Sequence, residues 1–230
     1  MPGIKENIDA VRLRINQAAA KVGRSGDQIT LVAVSKTVEA GRINEAIRNG
    51  IDIIGENRVQ EAEAKFKQIT EPVKKHLVGH LQTNKAKKAV ELFDFIQSVD
   101  SLRIAEEISK RALDAGRIMD VLVEVNTSCE ETKFGVEADQ VVPLIEAASM
   151  LEGIRIKGLM TIGLFSDNPE DTRPCFRRLK TLFDKLKSAE MPNVRMRYLS
   201  MGMTSDFEVA IEEGSNMVRV GTGIFGPRES

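Results

Sequence analysis

Apolar residues recur along the chain in a repeating order, with a short apolar run followed by a stripe at helical spacing. The first stripe stops at Gly23 and predicts an amphipathic N-terminal helix. Its members are Ile4, Ile8, Val11, Ile15 and Val22. The first apolar run, TLVAVSK at residues 30–36, is typical of a strand buried on both faces in a parallel sheet, and Lys36 closes it.

The same strand and helix unit recurs to the end of the chain. Further strands are predicted at residues 51–54, 76–79, 95–96, 119–125, 154–162, 197–200 and 217–220. A polar loop at 127–135 follows the fifth strand, and a capping box from Ser205 to Glu208 marks the start of the last long helix.

This order predicts an α/β fold, a single (β/α)8 TIM-type barrel with one extra N-terminal helix. An open doubly wound sheet is the alternative, but no glycine fingerprint follows the first strand and the repeats have similar lengths. We expect one domain over residues 1–230, with the N-terminal helix in 1–23 and the barrel in 29–226.

Composition excludes several classes of function. The net charge is -1 with both signs interspersed, so neither nucleic acid nor an anionic membrane surface is expected as a partner. Cys129 and Cys175 lie far apart, which indicates neither a disulfide framework nor a metal site. No apolar run approaches the roughly 20 residues of a membrane span and no signal region is present, so we expect a soluble cytoplasmic protein.

The carboxyl ends of barrel strands meet at one mouth, where this chain places mainly polar residues. These are Lys36, Asn57, His80, Ser98, Asn126, Ser200, Arg219, Gly221 and Thr222. A lysine at the exit of a buried strand is poorly solvated, which lowers an ammonium pKa and favours attack on a carbonyl. An ordinary lysine in a strand-to-helix turn is the alternative.

Glycines and hydroxyls after strands seven and eight are typical of a phosphate site, although Gly221 to Gly223 also fits an ordinary tight turn. An amine facing such a site indicates a phosphorylated aldehyde or ketone. Arg219 lies within an apolar strand and needs an acceptor, either a ligand or Glu124 in an ion pair inside the barrel. His76 and His80 lack a set of neighbouring metal ligands, so zinc is not expected and His80 is interpreted as a hydrogen-bonding residue.

Several motifs, in this order, closely resemble those of the pyridoxal phosphate homeostasis protein family. They are VSK at 34–36, GEN at 55–57 with QE at 60–61, HxxGxLQxNK at 76–85, LSMGM at 199–203 with DFExA at 206–210, and VRxGxxIFG at 218–226. The resemblance covers nearly the whole chain, and the family's barrel is similar to the N-terminal domain of alanine racemase.

The resemblance implies that pyridoxal 5'-phosphate is held as a Schiff base on Lys36. It also implies phosphate contacts from Ser200, Gly221 and Thr222, with Arg219 facing the pyridine nitrogen. Asn57, His80 and Met201 are the other implied cofactor contacts. Thr204 stands where the family usually has a serine, which keeps the hydroxyl.

For function, the resemblance implies binding, storage or delivery of pyridoxal phosphate in vitamin B6 homeostasis, with effects on amino-acid balance. An arginine at the pyridine nitrogen makes the ring a weak electron sink. The related racemases take a tyrosine base from a second domain, whereas the only tyrosine here, Tyr198, lies in strand seven, and the chain stops four residues after Gly226.

We therefore expect a non-catalytic, monomeric protein with no catalytic residues. Its expected partners are pyridoxal phosphate, other B6 vitamers and apo forms of pyridoxal phosphate enzymes. A pyridoxal phosphate-dependent amino-acid racemase or decarboxylase is the alternative, and a lysine aldolase acting on sugar phosphates is a third, weaker one.

Overall fold

The N-terminal helix packs against the first and last helices of the barrel in this computed structural model, which describes residues 3–128, 130 and 133–227. Helix α1 (Ile4–Lys21) buries the predicted apolar stripe, except for its last member. Val22 is the C-cap and is 41% exposed, so its assignment to the buried stripe was wrong. Asn7 Nδ2 donates to the carbonyl of Ile224 at 2.9 Å, which ties α1 to the C-terminal end of the described chain.

Strands and helices alternate after α1. The strands are β1 (Thr30–Val34), β2 (Ile53–Glu56), β3 (Lys74–Leu77), β4 (Phe95–Val99), β5 (Met119–Asn126), β6 (Val136–Glu137), β7 (Ile154–Met160), β8 (Val194–Ser200) and β9 (Met217–Val220). The helices are α2 (Ala40–Arg48), α3 (Val59–Phe66), α4 (Ala86–Leu92), α5 (Leu102–Asp114), α6 (Val141–Ala148), α7 (Arg173–Lys187), α8 (Phe207–Glu212) and α9 (Thr222–Phe225). Short 3-10 helices lie at 26–28, 83–85 and 169–172.

Eight parallel strands close into a barrel. The order runs β4-β3-β2-β1-β9-β8-β7-β5, and β4 also pairs with β5, which an open sheet would not allow. The predicted TIM-type barrel is therefore confirmed. The two-residue strand β6 pairs with the end of β5 outside the barrel order and was not predicted from the sequence.

Side chains along each barrel strand alternate between the barrel interior and the layer under the helices. In β1, Val32 packs inside the barrel with Phe95 and Leu122, whereas Ala33 packs in the outer layer. Strand β1 ends at Val34, two residues before Lys36, so the strand is shorter than predicted and Lys36 lies in the turn that follows it. Burial of Val32, Phe95 and Leu122 stabilises the fold by about 1.5–3 kcal/mol for each side chain.

The predicted capping box before α8 is not formed. The N-cap is Asp206, one residue later than predicted, and its Oδ1 accepts a hydrogen bond from the Met203 amide at 2.6 Å. Glu208 instead pairs with Arg14 on α1 at 2.6 Å. The Glu208 carboxylate therefore joins two helices and does not cap its own.

Two sequence expectations concern cysteines and membranes. Cys175 is a buried free thiol, and Cys129 lies outside the described residues. Across the described part of the chain, no helix combines the length and apolar character that crossing a bilayer requires.

Candidate functional site

The loops after β1 and β9 border one cavity of about 370 Å³. These two strands pair in parallel, so the turns that follow them are neighbours at the barrel mouth. The cavity is lined from the first loop and helix α2 by Lys36, Thr37 and Arg42, and from the start of α9 by its N-cap Gly221 and by Thr222. The structure thus brings three predicted site residues, Lys36, Gly221 and Thr222, to one place.

Arg42 was not predicted as a site residue. It lies in the first turn of α2, and its guanidinium donates to the carbonyl of Phe225 beside the cavity. The candidate residues were taken from the carboxyl ends of the strands, so a residue within a helix, such as Arg42, was not among them. The available signal was a cationic side chain in the helix directly after the candidate lysine.

Two backbone amides converge beside the same cavity. The N–H groups of Gly221 and Gly223 both donate to Thr204 Oγ1, at 3.3 and 3.4 Å. These hydrogen bonds are long, and two amides that converge in this way suit an anionic oxygen. A Cβ atom added at Gly221 would lie 3.3 Å from the carbonyl oxygen of Val34, so glycine keeps this loop close to β1.

Arg219 belongs to a buried polar chain across the barrel interior. Its Nη1 donates to Ser200 Oγ at 2.6 Å, and its Nη2 donates to the carbonyl of Thr161 at 2.7 Å. Ser200 Oγ in turn donates to Gln97 Oε1 at 2.7 Å, and Gln97 Nε2 lies 2.9 Å from His76 Nδ1. The Ser200 hydroxyl, predicted to contact phosphate, bridges Arg219 and Gln97 inside the barrel.

The ion pair with Glu124, one of the two alternatives for Arg219, is not a direct contact between these two described residues. Glu124 Oε2 is buried with no hydrogen-bond partner among the described residues. Burial raises the pKa of Glu124 to about 7, the charge of Asp100 acts in the same direction, and Arg219 opposes both. Burial lowers the pKa of Arg219 to about 10, so the guanidinium is still charged at neutral pH.

His76 is neutral in this environment. It is buried and stacked on Phe95 with ring centroids 4.8 Å apart. Burial, with a smaller contribution from the charge of Lys74, lowers the pKa of His76 to about 3. An uncharged imidazole therefore ends the polar chain that begins at Arg219.

Asn57 and His80, together with Phe134, line a separate depression at the ends of β2 and β3, the strands that follow β1 in the barrel order. His80 Nδ1 lies 3.0 Å from Asp100 Oδ2, and its ring stacks on Phe134 at 4.0 Å between centroids. No carboxylate lies close to His80 along the sequence, but the fold brings Asp100 to it.

The remaining candidates do not line the cavity. Met201, predicted as a ring contact, is fully buried in the layer between barrel and helices. Ser98 Oγ donates to the carbonyl of Gly79 at 2.7 Å, and Asn126 Nδ2 donates to the carbonyl of Glu130 at 3.0 Å. Within the described ranges, no three His, Cys, Asp or Glu side chains come together as a metal site would require.

Known proteins similar to this chain cover nearly its whole length. The family model of the alanine racemase N-terminal domain matches residues 7–229. The pyridoxal phosphate homeostasis protein of Aquifex aeolicus is 43% identical over 225 residues, which cover 97% of this chain and 98% of that protein.

Two solved structures have similar folds. An unknown protein from Bifidobacterium adolescentis has a TM-score of 0.92 at 39% identity, covering 96% of this chain and 94% of that one. PipY of Synechococcus elongatus PCC7942, solved with PLP bound, has a TM-score of 0.81 at 36% identity, covering 92% of this chain and 100% of that one.

Proposed function

This chain belongs to the pyridoxal phosphate homeostasis protein family, and on that basis we propose that it binds pyridoxal 5'-phosphate in the cavity between the ends of β1 and β9. The similarity to PipY, which has been solved with PLP bound, supports the proposal. The observation that carries it is one cavity bordered by a lysine and by a glycine-rich loop with convergent amides.

Lys36 is the proposed point of covalent attachment. When bound, the cofactor supplies an aldehyde that condenses with an amine and releases water. The role of this chain is to hold the Lys36 amine at the cavity, in the turn directly after a buried strand.

Gly221 and Thr222 are the proposed phosphate contacts. The amides of Gly221 and Gly223 donate long hydrogen bonds to the hydroxyl oxygen of Thr204. A charged phosphate oxygen would be a stronger acceptor for both amides. Arg42 adds a positive charge to the same cavity wall. The Thr204 hydroxyl lies at the same point, and we propose that it donates a hydrogen bond to the phosphate as well.

Arg219 is the proposed neighbour of the pyridine nitrogen. With its pKa at about 10, the guanidinium is protonated at neutral pH and can only donate a hydrogen bond to the nitrogen. It would therefore keep the pyridine nitrogen unprotonated, whereas a carboxylate would favour the protonated form. Ser200 is proposed to hold this guanidinium in place by accepting its hydrogen bond. Asn57 and His80 are proposed cofactor contacts in the neighbouring depression. Met201 is proposed to support the site by packing in the layer between the barrel and the helices.

We propose storage or delivery of the cofactor, without efficient turnover. Tyr198 packs edge-on against Phe95, with centroids 5.9 Å apart among the barrel-interior side chains, which does not suit a base acting at the cavity. Other B6 vitamers and apo-enzymes are the further proposed partners. The proposal includes a monomer in the cytoplasm in which residues 1–230 form one binding domain.

The absorption spectrum of the purified protein tests the proposal. Added pyridoxal phosphate should produce a visible band in the wild type and in Lys85→Ala, a control at the neighbouring depression, but not in Lys36→Ala. Unphosphorylated pyridoxal should bind much more weakly. A wild-type protein without the band, or a band that survives in Lys36→Ala, would contradict the proposal.

A further inference from the structure

A buried cluster of Ser35, Glu56 and Lys65 lies directly beneath the turn that carries Lys36. Glu56 Oε1 accepts hydrogen bonds from Ser35 Oγ at 2.6 Å and from Lys65 Nζ at 2.7 Å. The Glu56 side chain is completely buried, and that of Lys65 is 12% exposed. We call this ion pair, with its bonds to Ser35, the Ser35 clamp.

The clamp holds the peptide that precedes Lys36. Lys65 Nζ donates to the carbonyl of Ser35 at 2.7 Å, and the Val38 amide donates to the same oxygen at 3.0 Å. The Ser35 amide donates to the carbonyl of Gly55 at 2.9 Å. Every polar group of Ser35 therefore has a partner, and the backbone entering Lys36 is fixed from three sides.

The residue after Lys36 is in a costly conformation. Thr37 has a φ of 63°, in the left-handed region that a β-branched residue rarely adopts. Such a conformation persists only where its surroundings fix it, and it is concentrated at functional sites. Lys36 thus lies between Ser35, which the clamp fixes, and Thr37, which has a backbone conformation that β-branched residues rarely adopt.

Stability alone gives a weak reason for the clamp. Removing two charges from water is costly, and a packed apolar pair of similar volume often stabilises a fold as well or better. Glu56 Oε2 is also buried without a hydrogen-bond partner among the described residues. The arrangement instead holds the Lys65 ammonium in place as a hydrogen-bond donor to the Ser35 carbonyl.

We propose that the Glu56–Lys65 pair is a positioning device that aims the Lys36 amine at the aldehyde of the bound cofactor. This inference rests on the proposed function. In the step it serves, Lys36 Nζ adds to the aldehyde carbon, a C=N bond replaces the C=O bond, and the carbonyl oxygen leaves with two protons as water. Glu56 and Lys65 act through the backbone and do not contact the reacting atoms.

The test compares pyridoxal 5'-phosphate with pyridoxine 5'-phosphate, which has an alcohol in place of the aldehyde. The variant is Glu56→Gln with Lys65→Met, which removes both charges together so that neither is left buried alone. We define the preference for the aldehyde as the dissociation constant of pyridoxine phosphate divided by that of pyridoxal phosphate. In the double variant this ratio should fall about tenfold, the equivalent of one lost hydrogen bond to a charged group. Pyridoxine phosphate itself should bind within about twofold of wild type.

A matched control removes another ion pair far from this turn. Glu107→Gln with Arg111→Met deletes a 2.7 Å pair within α5 and should leave both dissociation constants unchanged. Lys65→Arg keeps a charge opposite Glu56 and so protects the fold, but it moves the donor away from the Ser35 carbonyl. Its ratio should lie between those of the wild type and the double variant.

The outcomes separate the clamp from the proposed function. A wild type that does not prefer the aldehyde over the alcohol would overturn the proposed function. A wild type with that preference, retained in full by the double variant and by Lys65→Arg, would overturn the clamp alone. Equal loss of both affinities in the double variant would assign the pair to the fold and would also overturn the clamp.

Discussion

Glu124→Gln should change how the stability of the cofactor-free protein depends on pH. The Glu124 carboxyl is buried, and its pKa rises from an ordinary value of 4.5 to about 7. Between these values the unfolded chain has released the proton and the folded chain still holds it, so the free energy of unfolding falls as pH rises. At 1.36 kcal/mol per pH unit, the total loss by pH 7 is roughly 3 kcal/mol.

His76 produces the opposite slope in the wild type. Its pKa is lowered from 6.5 to about 3, so the unfolded chain binds a proton in this range and the folded chain does not. Stability is therefore lost as pH falls from 6.5 toward 3. The contributions of Glu124 and His76 largely cancel between pH 4.5 and 6.5, and the wild-type curve alone hides both.

Replacing Glu124 with the isosteric glutamine removes one of the two slopes. The variant should gain stability relative to the wild type by roughly 3 kcal/mol between pH 4.5 and 7, because only the His76 contribution is left in that window. Above pH 7 the difference should be constant.

Urea unfolding of the two proteins at half-unit intervals from pH 4.5 to 8 measures this difference. The exposed Glu152→Gln is the control and should run parallel to the wild type. If Glu124→Gln also runs parallel to the wild type, Glu124 is ionised in the folded protein and our account of the barrel interior fails.

Three further predictions concern the site. Thr222→Val with Thr204→Val should weaken pyridoxal phosphate binding by well over tenfold, since each hydrogen bond to a charged group contributes about 1.5–3 kcal/mol; an unchanged dissociation constant would contradict the phosphate site. Ser200→Ala should lower the free energy of unfolding by about 1–3 kcal/mol, because Arg219 loses an acceptor; an unchanged urea midpoint would refute this. The holo-protein, assayed with each common L- and D-amino acid for chirality, carbon dioxide and keto-acid release, should stay far below ~10 turnovers per second, and a rate near that value, lost in Lys36→Ala, would contradict storage.

The sequence was most informative about the fold where local patterns decide the structure. The helical stripes and apolar runs predict α1, α2 and all eight barrel strands, because periodicity reports which face each element buries. Strand β6 was missed because two residues carry no periodicity and pair only after β5 is in place. The cap of α8 was misplaced because Ser205 and Asp206 both suit an N-cap, and only the tertiary pairing of Glu208 separates them.

The site residues also fall into two groups, those that local sequence position predicts and those whose contacts depend on the closed barrel. Lys36, Gly221 and Thr222 follow from their places at strand ends, since the barrel itself brings those ends together. The engagement of Ser200 with Gln97 and Arg219 does not follow, because it joins side chains from three strands whose distances depend on the closed barrel.

Reduction with borohydride followed by peptide mass mapping tests the central claim most directly. The protein is saturated with pyridoxal phosphate, reduced and digested, and the attached cofactor mass is located along the chain. We predict that it lies on the peptide containing Lys36 and that it is absent from Lys36→Ala treated in the same way. Cofactor mass mainly on Lys85 or Lys133 would contradict the assignment of Lys36 as the residue that holds the cofactor.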